Sequence, residues 1–257
     1  MIYCKSAREI GLMREGGRIL AQVVERLHAQ AKPGTSTMEI DEAVEAFIRS
    51  QGASPAFKGY RGFPATVCVS INEEVVHGIP SRRRRLKDGD IVGFDLGCIV
   101  DGYYADCAVT LPVGPIPADV QKLLDVTRES LELAILECRP DRRLSDVSHA
   151  VQRHVEAHGF GVVRAFVGHG IGRALHEEPQ IPNFGEPGRG PRLRPGMVLA
   201  IEPMVTMGNY EVRILEDGWT AVTADGSLAA HFEHTIAVTE SGPDVLTALN
   251  GSGAQAT

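Results

Sequence analysis

The chain has 257 residues, a formal net charge of −7 and a pI near 5.7. This length allows one large domain or two small ones, and the hydrophobic content of 43% is enough for a substantial core. The mildly acidic balance argues against nucleic acid as the main partner, and the apolar runs are far shorter than the ~20 residues of a membrane helix.

The N-terminal segment and the cysteines bear on location. Met1 is followed by Ile-Tyr-Cys-Lys, which lacks the charged start and apolar stretch of a secretory signal. The cysteines are odd in number and widely spaced, so we expect reduced thiols in a cytoplasmic protein rather than a disulfide framework. They are Cys4, Cys68, Cys98, Cys107 and Cys138.

Helices are predicted at the start of the chain. Ser6 and Glu9 form the pattern of a capping box, and apolar residues then recur at steps of three and four to about Ala31. A Pro-Gly pair breaks this helix, and a second one is predicted from Ser36 to near Gly52. Strand-like segments follow at 65–71 and 91–96.

The second half of the chain repeats this order. Pro117 has the character of a first-turn proline, and the helical pattern that follows it runs to about Cys138. A further helix is predicted from Leu144 to near Gly159, and strands and turns come next.

The two halves align at a constant offset of 107 residues. The segment from Arg85 to Asp95 falls on the segment from Arg192 to Glu202, and both read as a basic turn, an apolar strand and a carboxylate. We therefore predict an α+β fold of two halves related by a pseudo-two-fold axis, about 6–114 and 115–249. Asp95 and Glu202 would face each other across that axis. Together the halves would form one catalytic domain, 1–249, followed by a disordered tail at 250–257.

Four consecutive arginines, Arg82 to Arg85, stand out in the first half. A solvated loop is the favoured interpretation of such a run. Contact with ribosomal RNA or with an acidic surface is the alternative.

Five potential ligands lie in strand-like, apolar or glycine-rich surroundings. A single carboxylate of this kind is more often a turn or salt-bridge residue, but two of these are equivalent under the repeat. Buried carboxylates without partners carry a large desolvation cost, and basic partners are scarce nearby, so a shared cation is the natural solution. The five are Asp95, Asp106, His169, Glu202 and Glu233.

Four carboxylates and one imidazole suit a pair of divalent ions of the hard or borderline type. This ligand set fits Mn, Fe or Co better than it fits a structural zinc site, because structural zinc sites favour thiolate ligands. The sequence leaves the identity of the ions open among Fe, Mn, Co and Zn. Two adjacent ions can activate a water and polarise a carbonyl group, which predicts a hydrolase.

The order of these ligands resembles that of the pita-bread metallopeptidases. The segments 72–80 (Asn-Glu-Glu-Val-Val-His-Gly-Ile-Pro) and 166–176 (Phe-Val-Gly-His-Gly-Ile-Gly-Arg-Ala-Leu-His) are similar to signatures of the type I methionine aminopeptidases. The resemblance covers roughly residues 5–248. It implies a pita-bread fold with an antiparallel sheet and helices on its outer face. The implied activity is removal of the initiator methionine from nascent chains whose second residue is small.

The resemblance also implies a role for each residue. Asp95 would bind one metal, Asp106 and Glu233 would bridge the two, and His169 and Glu202 would complete the second site. Glu202 would also act as the base toward the attacking water. Two further histidines, His77 and His176, would bind the substrate backbone and the tetrahedral intermediate. Taken alone, His77 could merely stabilise a turn and His176 could cap the next two glutamates.

The pocket for the methionine side chain is implied by resemblance as well. Tyr60, Phe63, Cys68 and Trp219 would line it, although ordinary core is the alternative reading of these residues. Leu175 departs from the aromatic residue usual in bacterial relatives and would also contact the substrate. Two further departures are His231, where glutamine is common, and Phe184, where tyrosine is common.

Rival functions fit the same sequence less well. Prolidases and creatinases carry an extra N-terminal domain, for which the early first helix leaves no space. Type II methionine aminopeptidases carry an insertion, but only 25 residues separate His176 from Glu202. A non-catalytic binding module should have lost ligands, and all five are present. We therefore expect a monomeric, cytoplasmic enzyme that acts on nascent N-termini, with transient ribosome contact as a further possibility.

Overall fold

The computed structural model describes residues 1–249. The predicted disordered tail, 250–257, lies outside the described residues. Residues 1–249 contain four α-helices, α1 (Ala7–Gln30), α2 (Thr37–Ser50), α3 (Ala118–Glu137) and α4 (Leu144–Ala157), and a short 3-10 helix spans Tyr60–Gly62.

Fifteen strands are present in the described part of the chain. Those of the first half are β1 (Ser54–Pro55), β2 (Val67–Ile71), β3 (Glu74–Val76), β4 (Ile91–Val100) and β5 (Tyr103–Pro112). Those of the second half are β6 (Gly161–Val162), β7 (Gly168–Gly170), β8 (Glu177–Ile181), β9 (Val198–Ile201), β10 (Met204–Thr206), β11 (Val212–Ile214), β12 (Ala221–Thr223), β13 (Ala229–His231), β14 (Glu233–Thr239) and β15 (Gly242–Val245).

Helices α1, α2 and α4 begin where a local side chain satisfies a backbone N–H group. Ser6 caps α1 and Ser36 caps α2, and both form capping boxes with the glutamate three residues later. At α4 the backbone N–H of Arg143 donates to the Asp146 carboxylate at 2.7 Å. Pro117 is the residue that precedes α3 and not part of its first turn, because its carbonyl accepts the first helical hydrogen bond, from Gln121.

The main sheet has nine antiparallel strands. Its central order is β1-β4-β5-β14-β9-β7-β8, with β2 beside β4 and β15 beside β14. One buried cluster joins α1 and α2 to β2, β4 and β5, and a second joins α3 and α4 to β9 and β14. The helices thus pack against the main sheet. The smaller sheet β13-β10-β6 contributes Val162, Val205 and Ala230 to the second cluster, beside α3 and α4, and the other small sheet is β11-β12-β3.

The predicted offset of 107 residues recurs in the backbone. Helices α2 and α4 begin at residues 37 and 144 and end at residues 50 and 157. An antiparallel bridge between Ser36 and Arg85 is matched by one between Arg143 and Arg192. These correspondences follow the internal alignment, whereas the boundary between the halves at about residue 114 stays a prediction.

Two predicted strand limits were wrong. The strand expected at 91–96 continues to Val100, because Asp101 and Gly102 form a tight turn with positive φ that returns the chain directly into β5. The strand expected from residue 65 begins only at Val67. The N–H groups of Thr66 and Val67 instead donate to the buried Asp41 carboxylate, at 2.8 and 2.9 Å.

Within residues 1–249, no helix combines the length and the apolar character needed to cross a membrane.

Candidate active site

One cavity is lined by every residue that the sequence predicts for the site. Metal-ligand candidates and pocket candidates lie on its walls together, although they come from segments far apart in the chain. Its lining comprises Phe57, Tyr60, Arg61, Phe63, Cys68, His77, Asp95, Asp106, His169, Leu175, His176, Glu202, Trp219 and Glu233.

Strand register places three carboxylates on the same face of the sheet. Asp95 in β4 lies opposite Ala108 in β5, and Ala108 lies opposite Glu233 in β14. Asp106 precedes Ala108 by two positions and therefore points to the same side. The alternation of the strands is thus sufficient to direct Asp95, Asp106 and Glu233 into the cavity.

The second group of ligand candidates comes from β7 and β9. His169 lies opposite Ala200, and Glu202 follows Ala200 by two positions, directly after β9 ends. The His169 Nε2 atom is 3.5 Å from Glu202 Oε1 and 3.9 Å from Asp106 Oδ2. Ligand atoms of Asp106, His169 and Glu233 all lie within 4.8 Å of one another.

Burial and the closeness of like charges shift the pKa values of this cluster strongly. Burial raises the pKa of Asp95 to about 7. Burial, and then the neighbouring carboxylates, raise the pKa of Asp106, Glu202 and Glu233 well above the usual range. Burial, with His176 nearby, lowers the pKa of His169 to about 4, so its imidazole is neutral and able to bind a metal.

The donor set fits divalent cations. Oδ1 of Asp95, Oδ1 of Asp106 and Oε1 of Glu233 are buried without a hydrogen-bond partner in the described structure. Such atoms are costly in a protein interior unless a cation or a proton neutralises them. Carboxylate oxygens with one imidazole nitrogen are donors suited to hard or borderline divalent ions.

Two histidines flank this cluster. His77 has a positive φ of 61° and packs edge-on against Phe166, with 5.4 Å between ring centroids. Burial lowers the pKa of His77 to about 4. His176 lies with its ring centroid 4.3 Å from that of His169, and its Nδ1 atom is 2.8 Å from the Tyr60 hydroxyl. That contact replaces the capping of the following glutamates considered from the sequence.

Apart from Arg61, the rest of the cavity wall is mostly apolar. Phe63 and Trp219 meet edge to face at a centroid distance of 5.2 Å, and Leu175 is only 3% exposed. Cys68 in β2 is paired in register with Asp95, so the apolar wall continues directly into the carboxylate cluster. The cavity therefore joins a site for an apolar side chain to a site for cations.

Comparison with known proteins identifies the family. Residues 11–240 match metallopeptidase family M24. Methionine aminopeptidase 1 of Bacillus subtilis (strain 168) is 58% identical to the chain, over 96% of the chain and 99% of that protein. The chain belongs to metallopeptidase family M24. A methionine aminopeptidase of Clostridium perfringens (strain 13 / Type A) is 51% identical, over 97% of the chain and 100% of that protein.

Solved structures of M24 relatives share the fold of this chain. The crystal structure of methionine aminopeptidase from Thermotoga maritima superposes with a TM-score of 0.95 at 49% identity, covering 96% of the chain and 100% of that structure. Prolidase from Pyrococcus furiosus superposes with a TM-score of 0.78 at 23% identity, covering 95% of the chain and 65% of that structure, which shows a shared fold alone. The predicted methionine aminopeptidase family, pita-bread fold and metallo-aminopeptidase class are confirmed.

Some residues of this M24 site were missed from the sequence. Phe57 and Arg61 line the cavity but lie next to predicted residues without a signal of their own. Asn183 donates from Nδ2 to the Glu202 carbonyl oxygen at 3.0 Å. His231 was noted only as a departure from glutamine, yet its buried Nε2 atom is 3.9 Å from Glu202 Oε2 and has no hydrogen-bond partner in the described structure.

Proposed function

We propose that this cavity hydrolyses the peptide bond after an N-terminal methionine when the second residue is small. The main support for this proposal is that an apolar pocket and a carboxylate–imidazole cluster lie in one cavity. The methionine side chain would occupy the wall formed by Tyr60, Phe63, Cys68 and Trp219. The peptide bond that follows this methionine would then lie beside the carboxylate–imidazole cluster.

We assign the metal ligands as the family resemblance implies. Asp95, Asp106, His169, Glu202 and Glu233 would hold a pair of divalent ions. These ions would be Fe, Mn, Co or Zn. When bound, they supply Lewis-acid polarisation of the substrate carbonyl and acidify the attacking water. The unpartnered oxygens of Asp95, Asp106 and Glu233 support this assignment.

The protein groups move the protons and hold the substrate. Glu202 accepts the proton of the attacking water and passes it to the leaving amine. His77 and His176 bind the substrate backbone, and His176 also stabilises the oxyanion of the tetrahedral intermediate. Support comes from the position of both imidazoles on the cavity wall and from the Tyr60 hydroxyl that orients His176.

Turnover of a panel of peptides tests the proposed function. With Mn(II), Co(II) or Fe(II), we expect rapid release of methionine from Met-Ala-Ser and little cleavage of an X-Pro dipeptide. Met-Ala and Met-Gly peptides should be cleaved well, whereas Met followed by Lys or Leu should be rejected. Preferred cleavage of the X-Pro dipeptide would instead assign the chain to the prolidase activity of its more distant relatives.

Removing the His77 imidazole should slow the reaction without removing the metals. His77→Ala is expected to reduce kcat by about 10²–10⁴-fold, the usual scale for a positioned polar catalytic group. His169→Ala should instead release metal, because it deletes a ligand. Metal content by elemental analysis, measured beside kcat, separates the two. If both variants lose metal equally, the division between ligands and substrate-binding histidines is wrong.

Residue 175 should tune selectivity for methionine. An aromatic ring at this buried position would provide a flat wall for the thioether, and sulfur–aromatic contact contributes about 0.3–1.5 kcal/mol. Leu175→Phe is therefore expected to raise the Met over Leu preference by up to about tenfold. The ratio of kcat/KM for Met-Ala-Ser and Leu-Ala-Ser measures it. An unchanged ratio would show that residue 175 does not shape the pocket.

The cellular location, oligomeric state and partners of the enzyme are proposed as well. We place the enzyme in the cytoplasm as a monomer that meets nascent N-termini, with transient ribosome contact. Within the arginine run, Arg82 pairs with Glu42 and Arg84 with Glu74, while Arg85 donates to the Gly34 carbonyl. These internal partners favour the interpretation of the run as a surface loop.

A further inference from the structure

The loop between β7 and β8 carries two cavity residues. Leu175 and His176 lie on it, and both reach the cavity wall. The carboxylate of Glu177 closes the loop, because its Oε1 atom accepts hydrogen bonds from the backbone N–H groups of Arg173, at 2.7 Å, and Ala174, at 3.2 Å. The position of Leu175 and His176 thus depends on where the Glu177 side chain is held.

The Glu177 side chain is held by the N-terminal segment. Nζ of Lys5 donates to Glu177 Oε2 at 2.7 Å, across 172 residues of sequence. Both side chains are largely buried, with 6% of Lys5 and 16% of Glu177 exposed. Burial alone would raise the pKa of Glu177, but Lys5 and the two loop N–H groups lower it below its usual range, so the carboxylate stays charged.

The surrounding backbone is shaped to admit the lysine. Lys5 is fixed at its own backbone, where its N–H donates to the Gly196 carbonyl at 2.6 Å. A Cβ atom on Gly172 would lie 2.5 Å from Cε of Lys5 and 2.7 Å from Oε1 of Glu177. A Cβ atom on Gly196 would lie 2.8 Å from the Lys5 carbonyl oxygen. Glycines therefore stand on both sides of the Lys5 segment, at points where a side chain would collide with it.

From this geometry we infer that Lys5 is a positioning residue for the reaction: through Glu177 it holds the loop that presents Leu175 and His176 to the substrate. This inference rests on the proposed function for the roles of those two residues. Lys5 itself does not line the cavity. Its effect is on the geometry of the loop, where a displacement of about 1 Å can cost about 10²-fold in rate.

Kinetics of Lys5→Met test the inference. This change keeps the aliphatic stem and removes the ammonium group. We expect kcat/KM for Met-Ala-Ser to fall about 10–100-fold, with most of the loss in kcat and with a smaller Met over Leu preference. Metal content should be unchanged, because no metal-ligand candidate touches Lys5 in the described structure.

Arg14→Met is the matched control. Arg14 also belongs to the N-terminal region and pairs with a distant acid, Asp244, with side chains 30% and 28% exposed. Its loss should lower the unfolding temperature while leaving kcat/KM within about twofold. If Lys5→Met behaves in the same way, the Lys5 pair is merely structural and the inference is overturned.

A double variant guards against misfolding. Lys5→Met leaves a buried carboxylate without a counter-charge, which is strongly destabilising. Lys5→Met/Glu177→Gln removes that charge, and its amide oxygen still accepts from the loop N–H groups, although more weakly. We expect it to fold with a kcat between those of Lys5→Met and the unaltered enzyme. Wild-type kinetics in the double variant would overturn the inference, whereas failure of the unaltered enzyme on Met-Ala-Ser would overturn the proposed function instead.

Discussion

Glu202→Ala is expected to abolish turnover, with kcat reduced by about 10⁴-fold or more. A general base alone contributes about 10²–10⁴-fold, and this substitution also deletes a proposed metal ligand. The neighbouring imidazoles, His169 at 3.5 Å and His231 at 3.9 Å, would lose the carboxylate that they face. The backbone should be retained, since Asn183 holds the Glu202 carbonyl and not its side chain.

Two further variants sharpen this test. Glu202→Gln keeps the shape and one ligand oxygen but cannot act as a base, so we expect a loss of about 10²-fold or more in kcat with a folded protein. Glu216→Ala removes an exposed glutamate from the hairpin next to Trp219 and should leave kcat unchanged. Substantial turnover by Glu202→Ala, measured as methionine release from Met-Ala-Ser, would rule out Glu202 as the base.

The parts of the fold that were predicted correctly rest on local signals. Ser6 and Ser36 mark helix starts because each side chain caps a backbone N–H within its own first turn. The carboxylates of the site were found because they interrupt apolar strands, and strand alternation alone directs Asp95 and Asp106 to one face. Such signals need only a few neighbouring residues, so the sequence contains them in readable form.

The features that were missed depend on contacts between distant segments. Thr66 lies just before β2, and its N–H donates to Asp41, 25 residues earlier. Asn183 supports Glu202 from another loop, and Lys5 supports Glu177 from the far end of the chain. No periodicity or spacing marks these pairs, because the fold alone brings them together. The assignment of roles within the site accordingly came from family resemblance and stays a prediction.

Removal of divalent metal is expected to eliminate activity and lower stability together. Ions at such sites supply several kcal/mol of transition-state stabilisation, and a loss of about 4 kcal/mol is a loss of about 10³-fold in rate. The unfolding temperature should fall as well, because a ligand that binds only the folded state stabilises it by mass action. Readdition of Mn(II), Co(II) or Fe(II) should restore both activity and unfolding temperature.

The dependence of activity on metal concentration shows how many ions the reaction needs. Titration of metal-free protein should restore activity at two equivalents if both proposed sites are needed, and at one if a single ion is sufficient. His169→Ala is the matched control, because loss of its imidazole should weaken the stabilisation by added metal. His77→Ala should retain that response. Full turnover by protein verified to contain no metal would contradict the mechanism, because the mechanism assigns polarisation of the carbonyl and activation of the water to bound ions.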